Sequence, residues 1–225
     1  MRVKSLVRYD DANYHIRMNV GDIMDMDKTW GEQMKAKNYV AELGTTEAIE
    51  RIPVFLSYPR PHQKAQVTFI NTMRKFILTK TNLNPKTLGV TDFYLGPPLQ
   101  SIKNMMDECK GLIVVAFKQT KIIEGILKAD SDIEVSSDKI KNCWITSPYC
   151  HVEPAMALQM NLPMFILREK GIIKDGVFYD GSIGSFISEI DLINSPTNYF
   201  QEATWEQLLA QFVAQVNDLV KPLSS

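Results

Sequence analysis

The sequence predicts an α/β fold, a parallel sheet of about five strands with helices on both faces, over residues 51–225 and behind a β-rich extension at residues 1–50. Three observations carry this. From residue 52 onward, short apolar runs alternate with stretches of helical period, the order that builds a sheet layered by helices. Leu112-Ile113-Val114-Val115-Ala116-Phe117 is apolar at every position, as expected of a strand covered on both faces. Trp205, Leu208, Leu209, Phe212, Val213, Val216, Leu219 and Val220 form an apolar stripe at helical spacing, a helix docked on the core.

In the extension, residues 3–8 and 13–20 carry alternating or β-branched positions around Asp10-Asp11-Ala12-Asn13, which predicts a β-hairpin. Residues 30–43 read as a loop or short helix, and Gly44-Thr45-Thr46-Glu47 as a break. Such a segment covers a site, mediates assembly or straps the main domain, and the ordinary behaviour of terminal extensions favours the strap.

Ile52-Pro53-Val54-Phe55-Leu56-Ser57-Tyr58 is a short buried strand, followed by the turn-rich Pro59-Arg60-Pro61-His62. Residues 63–78 place Val67, Ile70, Met73, Phe76 and Ile77 near helical period, so a helix follows. A loop at the carboxyl end of a parallel strand is where such folds put ligand chemistry. Arg60 in that loop offers a planar fork of donors to a phosphate, although a loop arginine is more often simply solvated.

Residues 84–90 supply a second strand, and 91–98 a loop containing Asp92, Phe93, Tyr94 and Gly96. Leu99, Ile102, Met105 and Met106 are spaced for a helix that stops at Lys110-Gly111. After the Leu112 strand, residues 118–141 are polar and mixed, and read as a mobile loop or insertion. Residues 162–167 make another buried strand and 185–190 a last one. Gly171, Gly176, Gly181 and Gly184 lack the spacing of a nucleotide-binding loop.

Lys+Arg 25 against Asp+Glu 26 gives a net charge of -1, so no global field draws the chain to nucleic acid or an anionic membrane. No apolar run reaches the roughly 18–20 residues of a membrane span, and Met1-Arg2-Val3-Lys4-Ser5 lacks a signal-peptide core, so a cytoplasmic protein is expected. Cys109, Cys143 and Cys150 read as free thiols, and with His151 they match no ordinary metal spacing, so no metal is expected. There is no nucleophile elbow and no Walker-type loop.

The stretch from Trp144 to Met160 carries the chemistry. Ser147-Pro148 reads as a helix start, which sets Tyr149 and Glu153 one turn apart on one face. Pro154 is more comfortable in a first turn than inside a helix, so a short turn ending near Cys150 with the main helix starting at Pro154 is an alternative. Either way Glu153 lies beside a helix N-terminus, as a reactive carboxylate or merely a capping one.

With these parts in this order, the chain resembles the Toll/interleukin-1 receptor (TIR) domain family over roughly residues 52–220. Val54-Phe55-Leu56-Ser57-Tyr58 looks like that family's opening strand motif. Ser147-Pro148-Tyr149-Cys150-His151-Val152-Glu153 is similar to its Ser-x-Trp-Cys-x-x-Glu motif. The sequence departs from the pattern with Tyr149 where Trp is usual, with a long segment before the motif, and with Gly96-Pro97-Pro98 only approximating the family's Pro-Gly loop.

The resemblance implies a flavodoxin-like sheet and NAD+ as a substrate rather than a cofactor: many bacterial members cleave the nicotinamide-ribose bond to make a signal in antiphage defence, as in Thoeris systems. It implies Glu153 as the catalytic carboxylate and Tyr149, Cys150, Tyr58, Arg60, Phe93 and Tyr94 as substrate-binding residues. It further implies a homo-oligomer through TIR-TIR contacts and a downstream effector that senses the product. Two other readings stand beside it: an N-glycoside enzyme similar to nucleoside deoxyribosyltransferases, and a TIR module that works only by assembly.

Overall fold

The computed structural model of the chain describes residues 2–5, 9–11, 16–18, 23–25, 28–36, 40–42, 51–133, 139–183, 186–193 and 196–221. The chain divides into two compact units, Met1–Glu50 and Arg51–Ser225.

In the first unit, β1 (Arg2–Ser5) pairs antiparallel with both β4 (Ile23–Asp25) and β5 (Val40–Glu42). A separate hairpin joins β2 (Tyr9–Asp11) to β3 (Ile16–Met18), and α1 spans Lys28–Ala36. The predicted hairpin therefore has its arms later and shorter, because residues 3–5 pair with distant strands instead. The predicted break at Gly44 lies outside the described residues.

The second unit is an α/β layer structure. Its elements are β6 (Ile52–Ser57), α2 (Lys64–Lys80), β7 (Leu83–Lys86), α3 (Pro98–Glu108), β8 (Leu112–Ala116), β9 (Thr120–Ile126), β10 (Lys139–Ile145), α4 (Tyr149–Gln159), β11 (Met164–Glu169), β12 (Ile187–Ile190) and α5 (Ala203–Val220). Short 3-10 turns at Gly176–Phe178 and Asn198–Gln201 flank β12. Five strands form one parallel sheet in the order β7-β6-β8-β11-β12. Numbered within the sheet this is 2-1-3-4-5, compatible with a flavodoxin-like fold, with the reversal of strand order falling between β6 and β8.

The period of two along each strand divides the core. Val54, Leu56, Ile113, Val115, Phe165 and Leu167 pack on one face under α2 and α5, where Phe69, Met73, Trp205 and Phe212 are buried with them. Phe55, Leu112, Val114, Ala116 and Ile166 pack on the other under α3 and α4, against Ile102, Met105, Met106, Cys150 and Ala157. Gly111, just before β8, lies against α5: a Cβ there would sit 2.8 Å from Phe212 Cζ and 2.9 Å from Val216 Cγ2.

Two elements differ from expectation. The second strand ends at Lys86 because Thr87 turns the chain, its amide donating to Thr91 Oγ1 at 2.7 Å and its carbonyl accepting the Thr91 amide at 2.9 Å. Pro85 within it is tolerated because β7 is an edge strand. Residues 118–141, read as a loop, contribute the two-stranded antiparallel ribbon β9-β10, with residues 134–138 outside the described part. Ile122, Ile126, Ile140 and Trp144 supply β-forming positions among lysines and glutamates, so the polar composition masked them. Lys141 and Glu124 pair across the ribbon at 2.9 Å.

Candidate active site

Period two along β6 fixes the first site residue. Phe55 faces the α3/α4 side, so Ser57 does too, and it is the last residue of the strand. The second comes from α4, whose start is pinned by short local bonds. Ser147 Oγ accepts the Tyr149 amide at 3.3 Å, the Ser147 carbonyl accepts the Cys150 amide at 3.0 Å, and the Pro148 carbonyl accepts the Val152 amide at 3.1 Å. The helix then runs unbroken through Pro154, so the alternative start at that proline does not occur. What Pro154 costs is local: it donates nothing to the carbonyl of Cys150 one turn back.

These two constraints bring Ser57 and Glu153 together at the carboxyl end of β6, beside the reversal of strand order where open α/β sheets bind ligands. The Ser57 hydroxyl donates to Glu153 Oε2. Glu153 is only 5% exposed, and burial pushes its carboxyl up to about 7, against the opposing pull of the Ser57 hydrogen bond. The carboxyl therefore sits between its two protonation states near neutral pH.

A cavity of about 330 Å³ opens against this pair. Its wall includes Phe55 and Ile102 from the core, Thr87 from the turn after β7, and Tyr58, Tyr149 and Cys150. Of the residues singled out in the sequence, Tyr58, Tyr149, Cys150 and Glu153 thus line one space. Cys150 is a wall rather than a nucleophile: its buried thiol is pushed up to about 12 and keeps its proton, with Thr146 Oγ1 at 3.6 Å from the sulfur.

Arg60, Phe93 and Tyr94 lie outside this lining. Arg60 is exposed two residues beyond Tyr58, and Phe93 is 77% exposed. The Tyr94 hydroxyl donates to Glu108 at 2.6 Å. Among the lining residues that sequence reasoning did not select are the hydroxyl-bearing Ser57, Thr87 and Ser147. A hydroxyl at the last position of a buried parallel strand was the available signal for Ser57. Thr87 gave none, since its role depends on a turn: its Oγ1 donates to the Leu56 carbonyl at 2.9 Å and accepts from Arg74 at 2.9 Å.

A second buried carboxyl at the same end of the sheet shows what a structural glutamate looks like here. Glu169, 3% exposed, accepts the Lys118 amide at 2.9 Å and Gln66 Nε2 at 3.0 Å, with Lys118 Nζ at 3.6 Å. It ties α2 to the exits of β8 and β11. Glu153 has instead one hydroxyl partner and a cavity beside it. Among the described residues no cluster of three or more His, Cys, Asp or Glu side chains is placed to hold a metal ion. No helix among them is long and apolar enough to cross a membrane.

The sequence matches no protein-family model and no curated protein.

Proposed function

We propose that this chain is a TIR-like NAD+ glycohydrolase or ADP-ribosyl cyclase, with Glu153 as the catalytic carboxylate. The observation that carries the proposal is Glu153 itself, a buried carboxyl oriented by Ser57 at the wall of a cavity beside the strand-order reversal. In this reaction the bond between the nicotinamide nitrogen and ribose C1′ breaks and its electron pair leaves with nicotinamide, which becomes neutral. Positive charge passes to the ribose, and an ionised Glu153 in a water-poor wall stabilises that oxocarbenium character. Water then adds at C1′ and releases a proton, giving ADP-ribose, or a nucleophile within the same molecule closes a ring.

By the same resemblance, the product would serve as a signal in antiphage defence, read by a downstream effector, in a cytoplasmic protein that works as a homo-oligomer. A second reading rests on a different observation. Phe93 and Leu95 stand out at 77% and 107% exposed on the loop before α3, an apolar surface suited to a module that acts by assembly alone.

Incubating the purified chain with NAD+ over a concentration series, with products resolved by mass spectrometry, separates the two. Nicotinamide release that vanishes in Glu153→Gln is the expected result. A folded Glu153→Gln variant that consumes NAD+ normally would retire the proposal, and silence at every concentration would favour the assembly module.

A further inference from the structure

We infer that Arg168 is a positioning residue for the candidate site: it holds the turn at Gly176–Phe178 against His151 and so fixes the start of α4, the helix that carries Glu153. This rests on Glu153 being the working carboxyl of the proposed function, and it adds the groups that keep that carboxyl in place.

Period two along β11 puts Arg168 on the same sheet face as Ile166, the side covered by α3 and α4. The residue is 4% exposed. One arm of its guanidinium, Nη2, donates to Glu189 Oε2 on the neighbouring strand β12 at 3.0 Å, and the other, Nη1, donates to the Phe178 carbonyl at 3.3 Å. Its Nε is buried with no hydrogen-bond partner among the described residues. A charge buried on these terms gives little stability, because an apolar side chain of similar volume would fill the space at no greater cost. What the arginine supplies and an apolar residue would not is a tether from the sheet to the backbone of the turn.

The tethered turn grips one side chain of α4. Phe178, fully buried, meets the His151 ring edge-on with centroids 4.7 Å apart. Gly176, at φ +49°, brings its backbone so close that a Cβ there would sit 2.9 Å from His151 Nδ1. Asp175 Oδ1 stands 3.8 Å from His151 Nε2. Ring, backbone and carboxylate thus converge on His151, which follows the cavity residue Cys150 and precedes Glu153 by two positions.

The start of α4 needs such an outside hold. Pro154 has no amide to donate to the Cys150 carbonyl, so the turn from Cys150 to Pro154 lacks one of its own hydrogen bonds. Glu153 lies inside that turn. Its burial and its bond from Ser57 both require this part of α4 to stay close to the end of β6.

The test reads Glu153 directly, through the pH titration of its carboxyl 13C resonance in the full chain, assigned by its absence in Glu153→Gln. Arg168→Met fills most of the same space and removes the tether. The expected result is a folded protein whose midpoint falls by roughly one unit, from about 7 toward the ordinary 4.5, as a loosened turn admits water to the carboxyl. His151→Ala, which leaves the buried arginine alone, should give the same fall, and the double variant no more than either. Glu189→Gln keeps an acceptor for Nη2 and keeps the tether, so it should leave the midpoint in place. An unshifted or raised midpoint in folded Arg168→Met overturns the inference, as does an equal fall in Glu189→Gln. So does an unshifted midpoint in His151→Ala, the variant that decides the matter where Arg168→Met does not fold. NAD+ turnover by the wild type is followed separately. Cleavage with an unmoved midpoint leaves the NAD+ proposal standing alone, and a shifted midpoint in a chain that cleaves no NAD+ upholds the inference and retires that proposal.

Discussion

Ser57 and Glu153 are 96 positions apart in the chain, and one hydrogen bond joins them at the carboxyl end of β6. The serine donates, so the bond favours the ionised carboxylate, whereas the burial around it favours the acid. The carboxyl is held near the midpoint by two opposed effects, and each can be removed separately.

Removing the serine leaves burial unopposed. Ser57→Ala should raise the pH at which NAD+ cleavage falls off on the acid side by roughly one unit, the scale of a hydrogen bond to a charged group. The loss in kcat/KM is then largest near pH 6 and smallest near pH 9. An acid limb that stays in place, with activity reduced equally at all pH values, would mean that Ser57 does not tune the carboxyl.

Replacing the carboxyl should stabilise the fold. Glu153 titrates near 7 in the native chain against an ordinary 4.5, so native Glu153 binds its proton more tightly than the unfolded chain does. That contribution is complete below 4.5 and is lost as the pH rises through 7, after which the charge is buried at a cost. Glu153→Gln should therefore match the wild type near pH 4.5. At pH 8.5 it should be more stable by on the order of 2–3 kcal/mol, read from urea midpoints at both pH values. A variant less stable at pH 8.5 would contradict this.

Tyr149 lines the cavity one turn before Glu153 and is 42% exposed, so its ring contributes contact rather than core packing. Tyr149→Ala should raise KM for NAD+ roughly three- to tenfold, with a smaller change in kcat. Tyr149→Trp, which keeps an aromatic face, should stay near the wild type. Steady-state kinetics on the two variants check both.

Gly111→Ala places a methyl against Phe212 and Val216, both buried in the core and unable to swing away. A loss of about 1–3 kcal/mol is expected from overpacking. Adding Val216→Ala should recover part of it, since the two changes share one contact. Additive losses in a double-mutant cycle would place the strain elsewhere.

The layer order was legible because buried parallel strands announce themselves. Leu112 to Phe117 has no polar position, and in the structure its side chains divide between the two cores. The ribbon was not legible, because its strands share no buried face and alternate lysine with isoleucine. At the site, Glu153, Tyr149 and Cys150 could be found together because one helix carries them within five residues. Thr87 could not, since no local pattern marks a side chain that reaches its place through a turn. Arg60 was chosen for its guanidinium and for its loop at the carboxyl end of a strand, and it stands exposed outside this lining, because a residue's place in a loop does not set which way the loop turns.

The ribbon that interrupts the chain between β8 and α4 is fastened at its root. Gln119 donates to the Ile145 carbonyl at 3.0 Å, Trp144 donates to the Gly171 carbonyl at 3.1 Å, and Ile173 donates back to Trp144 at 2.9 Å. The two ends of the insertion are thereby held as if it were a tight turn, and the length beyond them is thermodynamically inexpensive. Descendants of this gene are free to lengthen, shorten or re-decorate the ribbon's tip while Glu153 stays where it is, so that change in one can proceed without retuning the other.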